Sequence, residues 1–213
     1  MIGETTPDAG KDIKGKEVLY GGLLGYGCEC DAHELEGDPL LMVLRPVRRS
    51  FSRRKDLLSM LTLASAAEIY PTLRRTLTRT LGSGTDVIDG FVMDRFEHSV
   101  GYWLRALAEP SDVRVWRSAI VLEAEALCGR LRAAGILHGE LNVSHLMLRW
   151  RGAGAPPLVR VVDFGAAILC DRVQLIDDEH QRFRAALCAE FEACAGLQEE
   201  QSRAKETKST SET

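Results

Sequence analysis

The stretch best equipped for chemistry is Leu137-His138-Gly139-Glu140-Leu141-Asn142-Val143-Ser144-His145, followed a short distance on by Arg160-Val161-Val162-Asp163-Phe164-Gly165. It brings two carboxylates, Glu140 and Asp163, and two imidazoles, His138 and His145, into one short region. Carboxylate oxygens suit Mg²⁺, and a carboxylate can orient a hydroxyl or a water; imidazole nitrogen is a poor Mg²⁺ ligand. Each residue also has a plainer role. His138 can serve architecture, Glu140 can be a solvated loop carboxylate, and His145 can be a satisfied hydrogen-bonding residue. His138-Gly139-Glu140 also matches the H-x-E of zinc deaminases, but no P-C-x-x-C follows, which excludes that chemistry.

Two other clusters stand out. Cys28, Cys30 and His33 have the residue types of a metal site, yet no fourth ligand follows at zinc-like spacing. Arg45, Arg48, Arg49, Arg53 and Arg54 gather positive charge in a chain of formal net charge -4. That balance excludes a protein coated for nucleic acid over its whole surface, so any RNA contact must be local, through phosphates at this patch. The same patch equally suits solvent or an acidic partner. Six cysteines in 213 residues lack the density of a disulfide framework. Residues 1–16 lack the apolar run of a signal peptide, and nothing approaches the roughly 18 apolar residues of a membrane span. The expectation is a cytoplasmic or nuclear protein with reduced thiols and no membrane contact.

The elements that must position these residues follow from hydrophobic period. Residues 1–16 read as a polar tail. Glu17–Leu24, Gly27–Glu34 and Leu40–Leu44 have strand character and predict an antiparallel β opening. A helix is predicted over 52–70, with Leu57, Met60, Leu61, Ala64 and Glu68 on one face and Pro71 ending it. Val87–Met93 reads as a strand and His98–Leu107 as a short amphipathic helix. Val113, Trp116, Ile120, Ala124, Leu127 and Leu131 then recur at helical spacing, with Ser111 placed to cap and Ala134-Gly135 to stop. Leu146–Arg149 and Leu158–Val162 predict a hairpin across a Gly/Pro turn. Phe183, Leu187, Phe191 and Cys194 mark the last helix, and 198–213 reads as a disordered tail. The order predicts an α+β chain with a β-rich lobe over 17–97 and a helical lobe over 98–197.

Here the residues resemble a family. Protein kinases carry H-x-D-x-x-x-x-N on a loop after a long helix, then a hairpin, then D-F-G, whose Asp holds Mg²⁺. The finer resemblance is to the small atypical kinase subunit of the KEOPS complex, the PRPK type, whose loop runs H-G-D-L-T-T-S-N. Gly27-Cys28-Glu29-Cys30 is similar to that family's opening G-A-E-A segment. Arg48-Arg49-Ser50-Phe51-Ser52-Arg53 loosely resembles its basic segment, and Val92-Met93-Asp94-Arg95-Phe96 its hinge. The resemblance spans roughly residues 19 to 180. It implies a compact, two-lobed protein-kinase-like fold with a reduced C-lobe and a cleft for ATP and Mg²⁺.

Carried over residue by residue, the resemblance makes Glu140 and Asp163 the catalytic pair, with Asp163 the Mg²⁺ ligand. Gly27, Glu29, Arg45, Glu68, Met93 and His145 would line the nucleotide, Glu68 pairing with Arg45. Three departures bear on mechanism: Arg45 replaces the phosphate-pairing Lys, Glu140 the loop Asp, and His145 the metal-binding Asn. Arg is bulkier than Lys, and misplacements of about 1 Å can cost on the order of 100-fold in rate. The resemblance implies a degenerate subunit of a KEOPS-type complex that uses ATP binding or hydrolysis in support of tRNA threonylcarbamoyladenosine modification. Its partners would be the threonylcarbamoyl transferase subunit and a small accessory subunit, with tRNA contact through Arg48, Arg49, Arg53 and Arg54. The alternatives are a pseudokinase scaffold, or an active atypical Ser/Thr kinase with Glu140 as base.

Overall fold

The computed structural model describes residues 9–12, 17–26, 30–46, 55–80, 83, 86–152 and 154–211. Gly27, Cys28 and Glu29 lie outside the described residues, as do Arg48, Arg49, Arg53 and Arg54. The chain divides after Arg95 into two units.

The first unit is built on a closed barrel of six strands in the order β1-β2-β3-β4-β6-β5. These are β1 (Ala9–Asp12), β2 (Glu17–Tyr26), β3 (Cys30–Leu35), β4 (Asp38–Pro46), β5 (Leu73–Thr80) and β6 (Asp86–Asp94). Part of the expected polar tail is therefore a strand: β1 pairs antiparallel with both β2 and β5 and closes the barrel. Closure satisfies backbone groups that β2 and β5 would otherwise leave open, so a polar segment is recruited for its backbone. β3 and β4 meet at Glu36-Gly37, where Gly37 has φ 81°. A positive φ at the second turn position is the reason for glycine there. Leu35, Val43, Leu77 and Val92 form the core, one from each of β3 to β6, with Leu41 packed against them. Burying a side chain of this size contributes about 1.5 to 3 kcal/mol.

Between β4 and β5 runs α1 (Lys55–Ala66), which buries Met60, Leu61 and Ala64. The helix expected to reach Tyr70 stops four residues earlier, and its ending is well defined. Glu68 adopts a left-handed φ of 56°. The Ile69 N–H donates to Ala64 O at 2.8 Å and the Glu68 N–H to Ser65 O at 3.1 Å. This is a Schellman cap, with Ile69 buried after it. The polar, threonine-rich β5 is a strand that its sequence pattern does not predict.

The second unit opens with β7 (His98–Ser99), then α2 (Val100–Tyr102), which runs on as a π-helical turn over Trp103–Leu107. The expected helix over 98–107 is thus preceded by a short strand. α3 (Pro110–Ala133) buries Val113, Ile120, Ala124, Leu127 and Leu131, with Trp116 half-buried. Its N-cap is Glu109, with Pro110 in the first helical position, rather than Ser111. Proline's fixed φ and missing N–H suit that position, which pushes Ser111 into the first turn. β8 (Ile136–Leu137), β9 (Leu146–Arg149), β10 (Leu158–Val161) and β11 (Ile168–Leu169) follow. β9 and β10 form the expected hairpin, with β7 on the outer edge of β9.

The last element, α4 (Val173–Ser211), buries Ile176, Phe183, Leu187 and Phe191, and with them the polar Glu179 and His180. The segment from Gln198 expected to be disordered is helical to Ser211; its Glu, Gln, Ala, Arg and Lys residues are strong helix formers. All three tryptophans of the chain lie together in this unit, Trp150 sitting 5.7 Å from Trp103 and 6.0 Å from Trp116 between ring centroids. Among the described residues no helix is long and apolar enough to cross a membrane.

Candidate functional site

Strand pairing brings the two sequence clusters together. β8 leads into the loop 138–145 and β9 leaves it, while β10 leads into Asp163-Phe164-Gly165 and β11 leaves that turn. β9 pairs with β10, and β8 with β11 through Leu137 opposite Ile168 and Ile136 opposite Leu169. The loop is therefore held against the turn at both ends. Gly139 shows how closely: its φ is 87°, and a Cβ there would stand 2.8 Å from the Ala166 carbonyl oxygen.

His138 is fully buried. Its Nε2–H donates to Val162 O at 3.0 Å, and its Nδ1 accepts the Glu140 N–H at 3.4 Å. These two bonds require the neutral ring. Burial holds its pKa below the ordinary imidazole value, outweighing the upward pull of the Val162 carbonyl and Glu179. The ring meets Phe164 edge-on at 4.9 Å. His138 is an architectural residue that clamps the loop to the Asp163 turn.

Sequence reasoning missed the anchor of this loop. Glu179, buried on α4, accepts the His138 backbone N–H on Oε2 at 3.0 Å and the Leu141 N–H on Oε1 at 3.4 Å. The available signal was a carboxylate inside an apolar stripe, three residues after Ile176 and four before Phe183. Gly139 and Asn142 were also passed over. Asn142 Oδ1 accepts the Ser144 N–H at 2.8 Å, capping the 3₁₀ turn Val143–His145.

That bond fixes the amide so that Asn142 Nδ2 donates to Glu140 O at 2.8 Å. His145 Nδ1 lies 2.9 Å from the same oxygen. Asn142 Nδ2 stands 3.1 Å from the same Nδ1, so the ring is held between the Glu140 carbonyl and the Asn142 amide, and its other nitrogen, Nε2, is the one nearer the turn. It faces Asp163: Nε2 and Asp163 Oδ2 are 3.4 Å apart, with 20% of the His145 and 47% of the Asp163 side chain exposed. Asp163 itself is left-handed, with φ 63° and ψ 64°, and stands at the N-cap of the 3₁₀ turn Phe164–Ala166. Glu140 is exposed in the same loop.

The structure brings together Glu140, His145 and Asp163 of the predicted site. Three others belong to the first unit. Arg45 is half-buried on β4, opposite Asp31 of β3. Met93 is fully buried in β6, with Met42 and Leu73 as its strand partners, so its side chain belongs to the core. Glu68, expected on the helix, is exposed in the turn beyond α1. Gly27 and Glu29 lie outside the described residues.

Among the described residues no three His, Cys, Asp or Glu side chains converge to hold a metal ion by themselves. Asp163 fits a Mg²⁺ ligand. His145 does not, because it presents nitrogen where Mg²⁺ demands oxygen.

No family model and no curated protein matches the chain. Among solved structures, that of vaccinia related kinase 3 matches with a TM-score of 0.52 at 11% sequence identity, over 82% of this chain and 56% of that chain. The likeness is one of fold: the chain has an α+β, protein-kinase-like fold. It spans little more than half the length of that kinase structure.

Proposed function

We propose that this chain is a nucleotide-binding protein of the kinase fold that transfers phosphate to protein poorly or not at all. In the finer form of the reading, it is a degenerate PRPK-like subunit binding ATP in support of a threonylcarbamoyl transferase acting on tRNA adenosine. The observation that carries the nucleotide reading is the pose of Asp163: a half-exposed carboxylate on a left-handed residue, pinned beside the Glu140 loop by two strand pairings. A non-glycine residue at that φ costs free energy, on the order of 1 kcal/mol, and such strain collects where a side chain must be aimed.

The finer form draws on the loop resemblance and on a short connection. Only Ala166–Arg172, seven residues, separates Gly165 from α4. Peptide-phosphorylating kinases use the interval after D-F-G for an activation segment ending in A-P-E, which carries the regulatory phosphosite. This connection is too short to supply one, which speaks against the active Ser/Thr kinase. The pseudokinase scaffold is favoured by a separate observation, the imidazole of His145 beside Asp163.

Calorimetric titration of the intact protein with ATP and Mg²⁺, beside Asp163→Ala and Glu140→Ala, tests the reading. Saturable binding abolished by Asp163→Ala is the expected result. Absence of binding at millimolar nucleotide, with or without a divalent cation, overturns it and leaves the scaffold. Stable co-purification with a threonylcarbamoyl transferase is the separate test of the finer form.

A further inference from the structure

His180 is a buried titratable group that the site does not use. It follows Glu179 on α4, the carboxylate that holds the loop 138–145, and the two residues are 3% and 5% exposed. We infer that Glu179 and His180 form an acid-sensitive latch: protonation of His180 displaces this turn of α4, and Glu179 then releases the backbone N–H groups of His138 and Leu141. The loop carrying Glu140 and His145 is freed as pH falls. The inference concerns the loop's own backbone and stands apart from nucleotide binding.

Three observations carry it. The first is the His180 ring. Its Nε2 is buried and has no hydrogen-bond partner among the described residues. A neutral ring can keep its proton on Nδ1 and leave Nε2 as an unused acceptor, whereas a protonated ring carries N–H at both nitrogens. A buried, charged donor with no acceptor is costly, and the ring must move to reach one or to reach water. The second is the charge around it. Burial is the largest influence and favours the neutral ring; Glu179, Arg184 and Asp177 of α4 and Arg132 of α3 act on it next. Asp177 is already paired with Arg132 at 2.9 Å, while Glu179 is held by two neutral N–H groups. Cys128 of α3, which also feels Glu179 and Arg184, is pushed up to about 11 by burial and stays neutral. On the loop side, Glu179 acts on His138 as well. The third is an uneven grip. Glu179 Oε2 accepts the His138 N–H at 3.0 Å but Oε1 accepts the Leu141 N–H at 3.4 Å, so the Leu141 bond is the weaker of the two.

The sign follows from linkage. A released His180 in water takes up a proton near pH 6.5, which the closed latch refuses, so the latch is shut above that pH and opens below it.

Amide hydrogen exchange on the intact protein, read by NMR at pH 7 and 5.5 and corrected for the intrinsic rate at each pH, tests this. The amides compared are His138 and Leu141 in the loop and Ile120 and Leu127 in the core of α3. Two variants, His180→Leu and His180→Gln, both remove the titrating ring, and tryptophan fluorescence on unfolding confirms that each folds. The expected result in the parent is a loss of protection at Leu141 and His138 of at least about threefold, the limit for one linked proton being about tenfold per pH unit. Ile120 and Leu127 are expected to change less, and both variants to keep the same loop protection at the two pH values. Loop protection that does not fall in the parent overturns the inference. An equal fall at Ile120 and Leu127 overturns it by assigning the effect to unfolding of the whole unit. A fall that persists in both variants overturns it by assigning the effect to another group, His138 first among them.

Discussion

Glu179 Oε2 accepts the backbone N–H of His138 at 3.0 Å, across 41 residues of chain, so a carboxylate on α4 sets the first residue of the loop that carries Glu140 and His145. Its second oxygen takes the Leu141 N–H, and the group is buried. Glu179→Ala strands two N–H groups and is expected to cost about 1 to 3 kcal/mol, the penalty for unsatisfied buried donors. Glu179→Gln keeps one acceptor and is expected to lose less. Urea unfolding followed by tryptophan fluorescence gives the order, since all three tryptophans lie in this unit; an alanine variant as stable as the parent rejects the anchor.

His138 and His180 give the second unit a pH dependence of definite sign. Burial is the chief cause holding both imidazoles below their ordinary value. The unfolded chain, with histidines near 6.5, takes up protons on acidification that the folded chain refuses. Stability is therefore complete above about pH 6.5 and falls as pH drops toward the lower folded values, by up to about 1.4 kcal/mol per unit for each ring. His180 Nε2 also finds no hydrogen-bond partner among the described residues. His180→Leu is expected to flatten the decline between pH 7 and 5.5 without loss of stability at pH 7. Denaturant midpoints at several pH values check this, and an unchanged slope excludes His180 as a contributor.

Gly139 is fixed by two independent demands. Its φ of 87° disfavours any L side chain, and a Cβ would crowd the Ala166 carbonyl at 2.8 Å. Gly139→Ala therefore combines a left-handed penalty of roughly 1 to 2 kcal/mol with displacement of the turn after Asp163. A thermal melt should fall by several degrees, and the affinity of any ligand held through Asp163 should fall with it. An alanine variant that melts with the parent removes the claim that loop and turn are in contact.

The fold was legible where period and punctuation agreed. The α3 stripe from Val113 to Leu131, the 146–162 hairpin and the α+β order all follow from local spacing, because each buries one face against its neighbours. What the sequence concealed was long-range or purely backbone in origin. β1 is polar and exists because a barrel needs closing. β5 is rich in threonine and arginine, and among its described residues Leu77 alone joins the core. Glu179 hides in a helix whose period reads as apolar, and its partners are two N–H groups that no side-chain pattern records. At the site, residue types alone bring Glu140, His145 and Asp163 into view. The ring orientation of His145 depends on a carbonyl five residues earlier, which only the folded loop reveals.

Glu68 shows the same limit from the other direction, since a helical-face reading of Leu57, Met60, Leu61 and Ala64 carries on naturally to position 68. The helix ends first because the chain reverses there through a left-handed residue, and the position after the cap is one that glycine fills at least cost. A glutamate in that conformation gives up roughly 1 to 2 kcal/mol relative to a residue without Cβ, less the greater flexibility that glycine brings to the unfolded chain. Both Glu68→Gly and Glu68→Ala lose whatever the Glu68 side chain holds, so the backbone cost is read from their difference: the glycine variant is expected to be the more stable by about 0.5 to 1 kcal/mol. Tryptophan fluorescence reports on the other unit, so the readout is hydrogen exchange at Val43, Leu77 and Val92 in the barrel core. Slower exchange in the glycine variant than in the alanine variant shows that the left-handed backbone at 68 carries a cost. Equal exchange in the two variants rejects it.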